Sequence, residues 1–155
     1  MTQTSRPLII GIGNPLMADD GAGPYVVSLL GQMQGLPPAD LLTLVTPGFG
    51  LLTHFAGRHT VIIADAASFA AAPGTVMRVT RDQVKTKHSM GFSLHDVDPL
   101  AVYDQAHALG LAPAQCAIYA IRFETITPRQ GLSAPVEAGA RKAAELIAQE
   151  LSRYA

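Results

Sequence analysis

Cysteine is nearly absent from this sequence, which contains one, Cys116, and no tryptophan. A lone cysteine excludes an internal disulfide and any zinc or iron–sulfur site that needs several thiolates from this chain. Cysteine usage of this kind suits a reducing compartment, so we expect a cytoplasmic protein. No base lies beside Cys116 in the sequence, which predicts a small buried apolar residue and not a nucleophile.

Charged residues are also scarce, at 15% of 155 residues, and the formal net charge is −1. No basic excess is present to bind nucleic acid or an anionic membrane surface. No apolar run approaches the roughly 18–20 residues that a membrane span needs. The N-terminal apolar run is short and is interrupted by Gly11 and Gly13, which predicts no signal peptide. We expect residues 1–155 to form a single domain without nucleic-acid or membrane partners.

Short apolar runs alternate with segments of helical periodicity, which is typical of an α/β fold. The pattern predicts a three-layer α/β/α fold, in which the middle layer is a mostly parallel, twisted sheet of five strands. The predicted strands cover residues 8–12, 41–45, 60–64, 75–79 and 117–123. One predicted helix begins near residues 21–24 and contains residues 25–30. The other predicted helices cover residues 51–55, 96–108 and 134–154. Residues 85–94 have no clear period, which predicts a loop.

Polar side chains gather near the predicted ends of strands, and open parallel sheets bind ligands at the carboxyl ends of their strands. Asp19 and Asp20 follow the first strand, Asp65 follows residues 60–64, and His88 and His95 lie in or just after the predicted loop. Two carboxylates and one imidazole suit a divalent transition metal such as nickel or zinc. Spacing alone leaves either histidine as the ligand. It leaves Asp19 equally open to a role as a ligand or to being only a helix cap or a solvated side chain.

The glycine-containing loop after the first strand does not favour a nucleotide. Gly11 and Gly13 match the start of a dinucleotide-binding loop, but Leu16 stands where its third glycine belongs. Asp19 and Asp20 also lie at the start of the following helix, where carboxylates repel phosphate. The sequence therefore favours a cation over a nucleotide at this position.

Four segments occur in a characteristic order along nearly the whole chain. The first, GIGNPLMADDGAGPYVV, is similar to a signature G-x-G-N-x-x-x-x-D-[DE]-x-x-G. The others are VIIADA at residues 61–66 with PGT at 73–75, SLHDVDPL at 93–100, and Phe123-Glu124 followed by GLS at 131–133. Together these segments resemble the maturation endopeptidases of nickel–iron hydrogenases.

The resemblance implies an endopeptidase that removes a C-terminal extension from the large-subunit precursor of a nickel–iron hydrogenase. Cleavage would follow nickel insertion, with the metal supplied by the precursor and no resident cofactor. Asp20, Asp65 and His95 match the family's metal-binding and catalytic positions, and some members have glutamate where this chain has Asp20. His95 is thereby favoured over His88, whose replacement should have little effect. The attacking nucleophile is left open.

Two other functions stay possible from the sequence. A peptidyl-tRNA hydrolase-like enzyme would share Gly13-Asn14-Pro15, but Leu16 replaces the usual glycine, and the net charge of −1 does not suit binding of tRNA. The second alternative is a non-catalytic metal-binding module in which the acidic loop holds an ion permanently. A stoichiometric, chelator-resistant metal in the purified protein would distinguish that module from the protease.

Overall fold

The computed structural model describes residues 6–95 and 97–154, so Asp96, the predicted start of one helix, lies outside the described residues. The predicted α/β architecture is confirmed, with helices on both faces of a mostly parallel sheet. The strands are β1 (Leu8–Ile12), β2 (Asp40–Leu44), β3 (Thr60–Ser68), β4 (Val76–Thr80), β5 (Ser93–Leu94) and β6 (Gln115–Arg122). The α-helices are α1 (Ala22–Gln32), α2 (Leu51–Phe55), α3 (Val84–Ser89), α4 (Pro99–Ala108) and α5 (Ala134–Leu151).

The sheet has six strands where the sequence predicted five. Five follow the order β2-β1-β3-β6-β4, in which only β4 runs antiparallel to its neighbour, and β5 pairs with the end of β3. Parallel strands place their carboxyl ends at one edge of a sheet, so the loops after β1, β2 and β3 meet there. This edge carries the candidate site.

The predicted loop over residues 85–94 is wrong, because this segment contains α3 and β5. Helix α3 has six residues, of which only Val84 is buried, so no apolar period marks it in the sequence. A short helical turn, Arg81–Gln83, precedes α3. Its cap residue is Thr80, whose amide donates to the Gln83 side chain at 3.0 Å in a capping box. β5 has two residues, too few for a detectable alternation.

Separate apolar clusters cover the two faces of the sheet. Helices α1 and α5 pack on one face through side chains such as Val26, Leu30 and Ile147, all 1% exposed or less. Helices α2, α3 and α4 pack on the other face, where Phe55 is fully buried. Each fully buried large apolar side chain contributes about 1.5–3 kcal/mol. The sheet that carries the candidate site is therefore packed on both faces.

Glu150 on α5 is a buried carboxylate far along the chain from the candidate site. It is 3% exposed and accepts hydrogen bonds from Arg78 (2.7 Å), Tyr119 (2.5 Å) and Tyr154 (3.1 Å). Burial alone raises the pKa of Glu150, but the bonds from Arg78 and Tyr119 outweigh burial and hold it below its usual range. The ionised form therefore stabilises the fold, and this contribution is lost as the pH falls through the lowered pKa.

We expect Glu150→Gln to lower the free energy of unfolding by about 1–2 kcal/mol at pH 7. The amide keeps the size of the side chain but removes the charge that Arg78 contacts. Urea denaturation measures the change, and the exposed Glu145→Gln on the same helix serves as the control. An equal midpoint for the two variants would contradict the role assigned to Glu150.

Cys116 is buried at the start of β6, in agreement with the sequence prediction. It is 8% exposed, and its Sγ lies 3.0 Å from the Tyr103 hydroxyl. Burial raises the pKa of the Cys116 thiol to about 12. We expect the thiol to stay unreactive toward a disulfide reagent at pH 8 and to react once urea unfolds the chain. A rapid reaction of the native protein would contradict this placement.

Across residues 6–95 and 97–154, no helix has both the length and the apolar character needed to cross a membrane.

Candidate functional site

The loop after β1 is shaped by close contacts that only glycine permits. A Cβ atom on Gly13, whose φ is +144°, would lie 1.9 Å from the Asp20 carbonyl oxygen. A Cβ atom on Gly23 would lie 2.4 Å from the carbonyl oxygens of both Ile12 and Ala64. Gly23 thus lets the start of α1 pack directly on the end of β1 and on β3 at Ala64, and Gly13 lets the loop approach the backbone of Asp20. The spacing of glycines in the N-terminal segment thus has a steric origin.

Hydrogen bonds within this loop fix the position of Asp20. The Asn14 side chain accepts from the Leu16 amide at 3.0 Å, and the Met17 carbonyl accepts from the Asp20 amide at 3.1 Å. The Asn14 amide in turn donates to Asp20 Oδ2 at 2.8 Å. Asp20 is 2% exposed, so this backbone bond stabilises a buried carboxylate. The sequence showed Asn14 only as one residue of the N-terminal motif. The contact of its backbone amide with Asp20 was missed.

Asp20 and His95, which are 75 residues apart in the chain, contact each other directly. His95 Nδ1 lies 2.8 Å from Asp20 Oδ1. The His95 side chain is 38% exposed while that of Asp20 is 2% exposed. The carboxylate therefore sets the orientation of an imidazole that opens to solvent. Such a carboxylate–imidazole pair is a frequent element of metal and hydrolytic sites.

Asp65 lies inside β3 and not at its end, because the strand continues to Ser68. The sequence prediction of a strand end at residue 64 is therefore wrong, although pairing of β3 with β1 does stop at Ala64. Asp65 is fully buried. The carbonyl of the next residue, Ala66, accepts from the His95 amide at 3.2 Å, so His95 is held beside Asp65 along the backbone. Asp20, Asp65 and His95 thus share one region of the carboxyl edge.

Asp19 has a structural role that its position beside Asp20 did not reveal. It is fully buried, and it accepts from the amides of Glu124 (2.9 Å), Thr125 (3.0 Å) and Ser133 (2.7 Å), and from the Ser133 hydroxyl (2.9 Å). Asp19 thereby fastens the segment between β6 and α5 to the loop after β1. The solvated side chain is wrong, because Asp19 is fully buried. The helix cap is the nearest of the roles left open by the sequence, although Asp19 accepts from the amide of Ser133 at the start of α5 and not from α1.

Burial and hydrogen bonding act in opposite directions on the Asp19 carboxyl. Burial alone raises its pKa, whereas the amides of Ser133, Thr125 and Glu124 favour the ionised form. The hydrogen bonds prevail, and the pKa of Asp19 is lowered from its usual value. Asp19 is therefore a permanent anion at neutral pH.

The His95 ring also contacts Phe123, which follows β6. The two ring centroids are 6.1 Å apart with an interplanar angle of 72°, an edge-to-face arrangement. The Phe123 amide donates to the Ala67 carbonyl at 3.2 Å, and the Arg122 guanidinium lies 5.0 Å from the Phe123 ring centroid. Phe123 belongs to the late segment of the motif set, but its contact with His95 could not be inferred from sequence spacing.

Metal ligation by Asp20, Asp65 and His95 remains a prediction. Within the part of the chain that the structure describes, no group of three or more histidine, cysteine, aspartate or glutamate residues is arranged to hold a metal ion. The donor set of carboxylates and imidazole nevertheless has the chemistry that nickel accepts.

Comparison with known proteins points to one family. The family model described as "Hydrogenase maturation protease" matches residues 24–150, a range that contains Asp65 and His95 and begins after Asp20. The chain is 32% identical over 144 residues to the "Hydrogenase 2 maturation protease" of Escherichia coli, covering 92% of this chain and 88% of that protein. It is 29% identical to a "Putative hydrogenase maturation protease" of Methanocaldococcus jannaschii, covering 94% and 96%.

Solved structures agree with these sequence matches. The hydrogenase maturating endopeptidase HybD from Escherichia coli superposes with a TM-score of 0.83 at 31% identity, covering 96% of this chain and 93% of that one. The [NiFe] hydrogenase maturation protease HybD from Thermococcus kodakarensis has a TM-score of 0.78 at 27% identity, with 94% and 99% covered.

Proposed function

This chain belongs to the hydrogenase maturation protease family, and we propose that this endopeptidase removes a C-terminal extension from the large-subunit precursor of a nickel–iron hydrogenase once nickel has been inserted. Nickel reaches the enzyme as part of its substrate, so no resident cofactor is required. Asp20, Asp65 and His95 engage that nickel. The observation that carries the assignment of residues is the 2.8 Å contact between Asp20 and His95 at the carboxyl edge of the sheet.

The donor set fits a substrate-borne divalent ion. Imidazole nitrogen and carboxylate oxygen are ligands that nickel accepts. With Nδ1 of His95 directed at Asp20, Nε2 is the ring nitrogen that meets the metal, as in other carboxylate–histidine–metal arrangements. The fully buried Asp65 supplies a second carboxyl group from β3. Both oxygens of Asp20 are in hydrogen bonds, Oδ2 with the Asn14 backbone amide and Oδ1 with His95. Asp20 therefore orients His95, and one of its oxygens is also near enough to the imidazole to share in contacting the nickel.

Nickel bound in the substrate supplies a Lewis acid that polarises the scissile carbonyl or lowers the pKa of a water. The residues of this chain position the peptide and handle protons. Asp20 or Asp65 accepts the proton of the attacking water, which makes the activity an aspartyl-type endopeptidase activity. An acidic, partly buried site also rejects a precursor without nickel, because the carboxylates then lack the cation that neutralises them.

The decisive experiment compares nickel-loaded and nickel-free large-subunit precursor, each incubated with the purified protein and analysed by intact mass. We expect loss of a C-terminal peptide from the loaded precursor alone. Cleavage of both forms at equal rates would contradict nickel recognition, and cleavage of neither would contradict the proposed function. A stoichiometric, chelator-resistant metal in the isolated enzyme would instead favour a permanent metal site.

We also propose that the reaction takes place in the cytoplasm, where a precursor under maturation meets its protease. The single cysteine, buried and protonated, agrees with a protein that does not depend on disulfides.

A further inference from the structure

His95 lines a groove between α3 and the start of α4 that has a volume of about 430 Å³. The same groove is lined by His88 from α3, by Ser93 from β5, and by residues 97–99, which lead into α4. Specific binding sites have volumes of about 300–1,000 Å³, so the groove can hold a segment of a ligand. His88 and His95 are thus two imidazoles along one groove, although the sequence left only one of them a role.

His88 is exposed, and its side chain has no hydrogen-bond partner among the residues that the structure describes. Ser93 is exposed as well. Asp98 also lines the groove, and its Oδ1 accepts from the Leu100 and Ala101 amides at 3.1 and 3.2 Å as the cap of α4. The groove therefore offers the donors of His88 and Ser93 to a ligand, while Oδ1 of Asp98 caps α4.

We propose that this groove binds the stretch of substrate polypeptide next to the nickel, with the His88 imidazole donating a hydrogen bond to a peptide carbonyl. The inference rests on the proposed function, which brings nickel to His95. A polypeptide attached to that nickel has to leave the site along a surface that starts at His95, and this groove contains His95 itself. His88 is then a substrate-binding residue that acts on affinity, whereas His95 acts on the reacting centre.

Substrate binding by His88 can be distinguished from the role of an ordinary exposed histidine at a helix end. Basic side chains often occupy the last turn of a helix, where they meet its negative end, and His88 lies in the last turn of α3. A helix-end role would affect only stability. Substrate binding instead predicts a change in KM for the precursor with little change in kcat, because the hydrogen bond would be equally strong in the ground and transition states.

The test measures KM and kcat for nickel-loaded precursor with His88→Ala, His88→Gln and wild-type enzyme. We expect His88→Ala to raise KM about 5–10-fold, the value of one hydrogen bond, with kcat within about twofold. His88→Gln retains an N–H donor and is expected to recover at least half of the loss. Its recovery would show that the donor matters and not the stability of α3.

The controls are His107→Ala, an exposed histidine of α4, and Gln130→Ala, in a separate cleft of about 540 Å³ that α1 and α5 line. Neither is expected to change KM. An unchanged KM for His88→Ala, or a raised KM for Gln130→Ala alone, would overturn the inference while leaving the proposed function intact. Absence of cleavage by wild-type enzyme would overturn the proposed function and the inference with it.

Discussion

Replacing Asp20 by asparagine is expected to lower the processing rate of nickel-loaded precursor at least about 100-fold. The asparagine side chain has the same size, but it lacks the negative charge and has one acceptor oxygen in place of two. Asp20 accepts from the Asn14 backbone amide with one oxygen and contacts His95 Nδ1 with the other, each at 2.8 Å. The single oxygen of asparagine cannot make both contacts. The imidazole then loses the charge that orients it, and nickel loses one neighbouring anion.

Asp65→Asn and His95→Ala are expected to have losses of similar size for different reasons. Asp65 is fully buried in β3, so its replacement removes a carboxyl group for which solvent cannot substitute. His95→Ala removes the only imidazole that contacts Asp20 among the described residues. Processing is followed by intact mass, and thermal unfolding of each variant verifies that the fold is retained.

Matched controls exist on α4, where Asp104 and His107 are both exposed. Asp104→Asn and His107→Ala remove the same chemical groups and should process at the wild-type rate. A variant of Asp20, Asp65 or His95 that cleaves at the wild-type rate would show that the role assigned to that residue is wrong.

The sequence was informative where residues act through patterns of buried apolar side chains. Continuous apolar runs predicted β1 and most of β3 and β6, because strands covered on both faces are apolar at every position. Helix α3 and strand β5 were missed, since each is short and mostly exposed on one side. Strand β5 comes from its tertiary pairing with the end of β3, and β3 continues past Asp65 because it pairs there with both β6 and β5. No local pattern encodes this pairing.

The candidate site was predicted in the identity of its residues but not in its supporting contacts. Asp20 and His95 were proposed together, and the structure brings them to 2.8 Å. The Phe123 ring beside His95 and the Asn14 amide on Asp20 were missed, because neither backbone amides nor ring contacts leave a signal in a single sequence. The role of Asp19 could not be decided from the sequence for the same reason, because its hydrogen-bond partners lie more than 100 residues later in the chain.

Asp19→Ala is expected to lower the free energy of unfolding by about 3–5 kcal/mol, which makes it the most destabilising of the substitutions considered. The wild-type carboxylate accepts four hydrogen bonds, three from backbone amides and one from the Ser133 hydroxyl. Hydrogen bonds to an ionised group are stronger than neutral ones, and alanine provides none of them. Urea and thermal denaturation measure the loss, with a fall in Tm of roughly 10 °C expected for a chain of this length.

The pH dependence of this effect has a definite sign. The pKa of Asp19 is lowered in the folded protein, so its contribution is fully present above the unfolded value of about 3.9 and is lost as the pH falls through the lower folded value. The stability difference between wild type and Asp19→Asn should therefore be largest near neutral pH and shrink below about pH 3.9. A constant difference from pH 7 to pH 3 would show that packing, and not the charge, accounts for the stabilisation.

Replacing Asp19 should also lower the rate of cleavage, because Asp19 helps to position Asp20. Residues 18–21 form one short helical turn, and the Asp19 amide donates to the Thr125 carbonyl at 3.1 Å while its side chain holds Glu124 and Ser133. Releasing the later segment frees that turn to move, which displaces the carboxylate that orients His95. We therefore expect Asp19→Asn, which keeps one acceptor oxygen, to remain folded at 25 °C with a lowered kcat. A wild-type kcat in that variant would mean that Asp20 is positioned by the Asn14 amide alone.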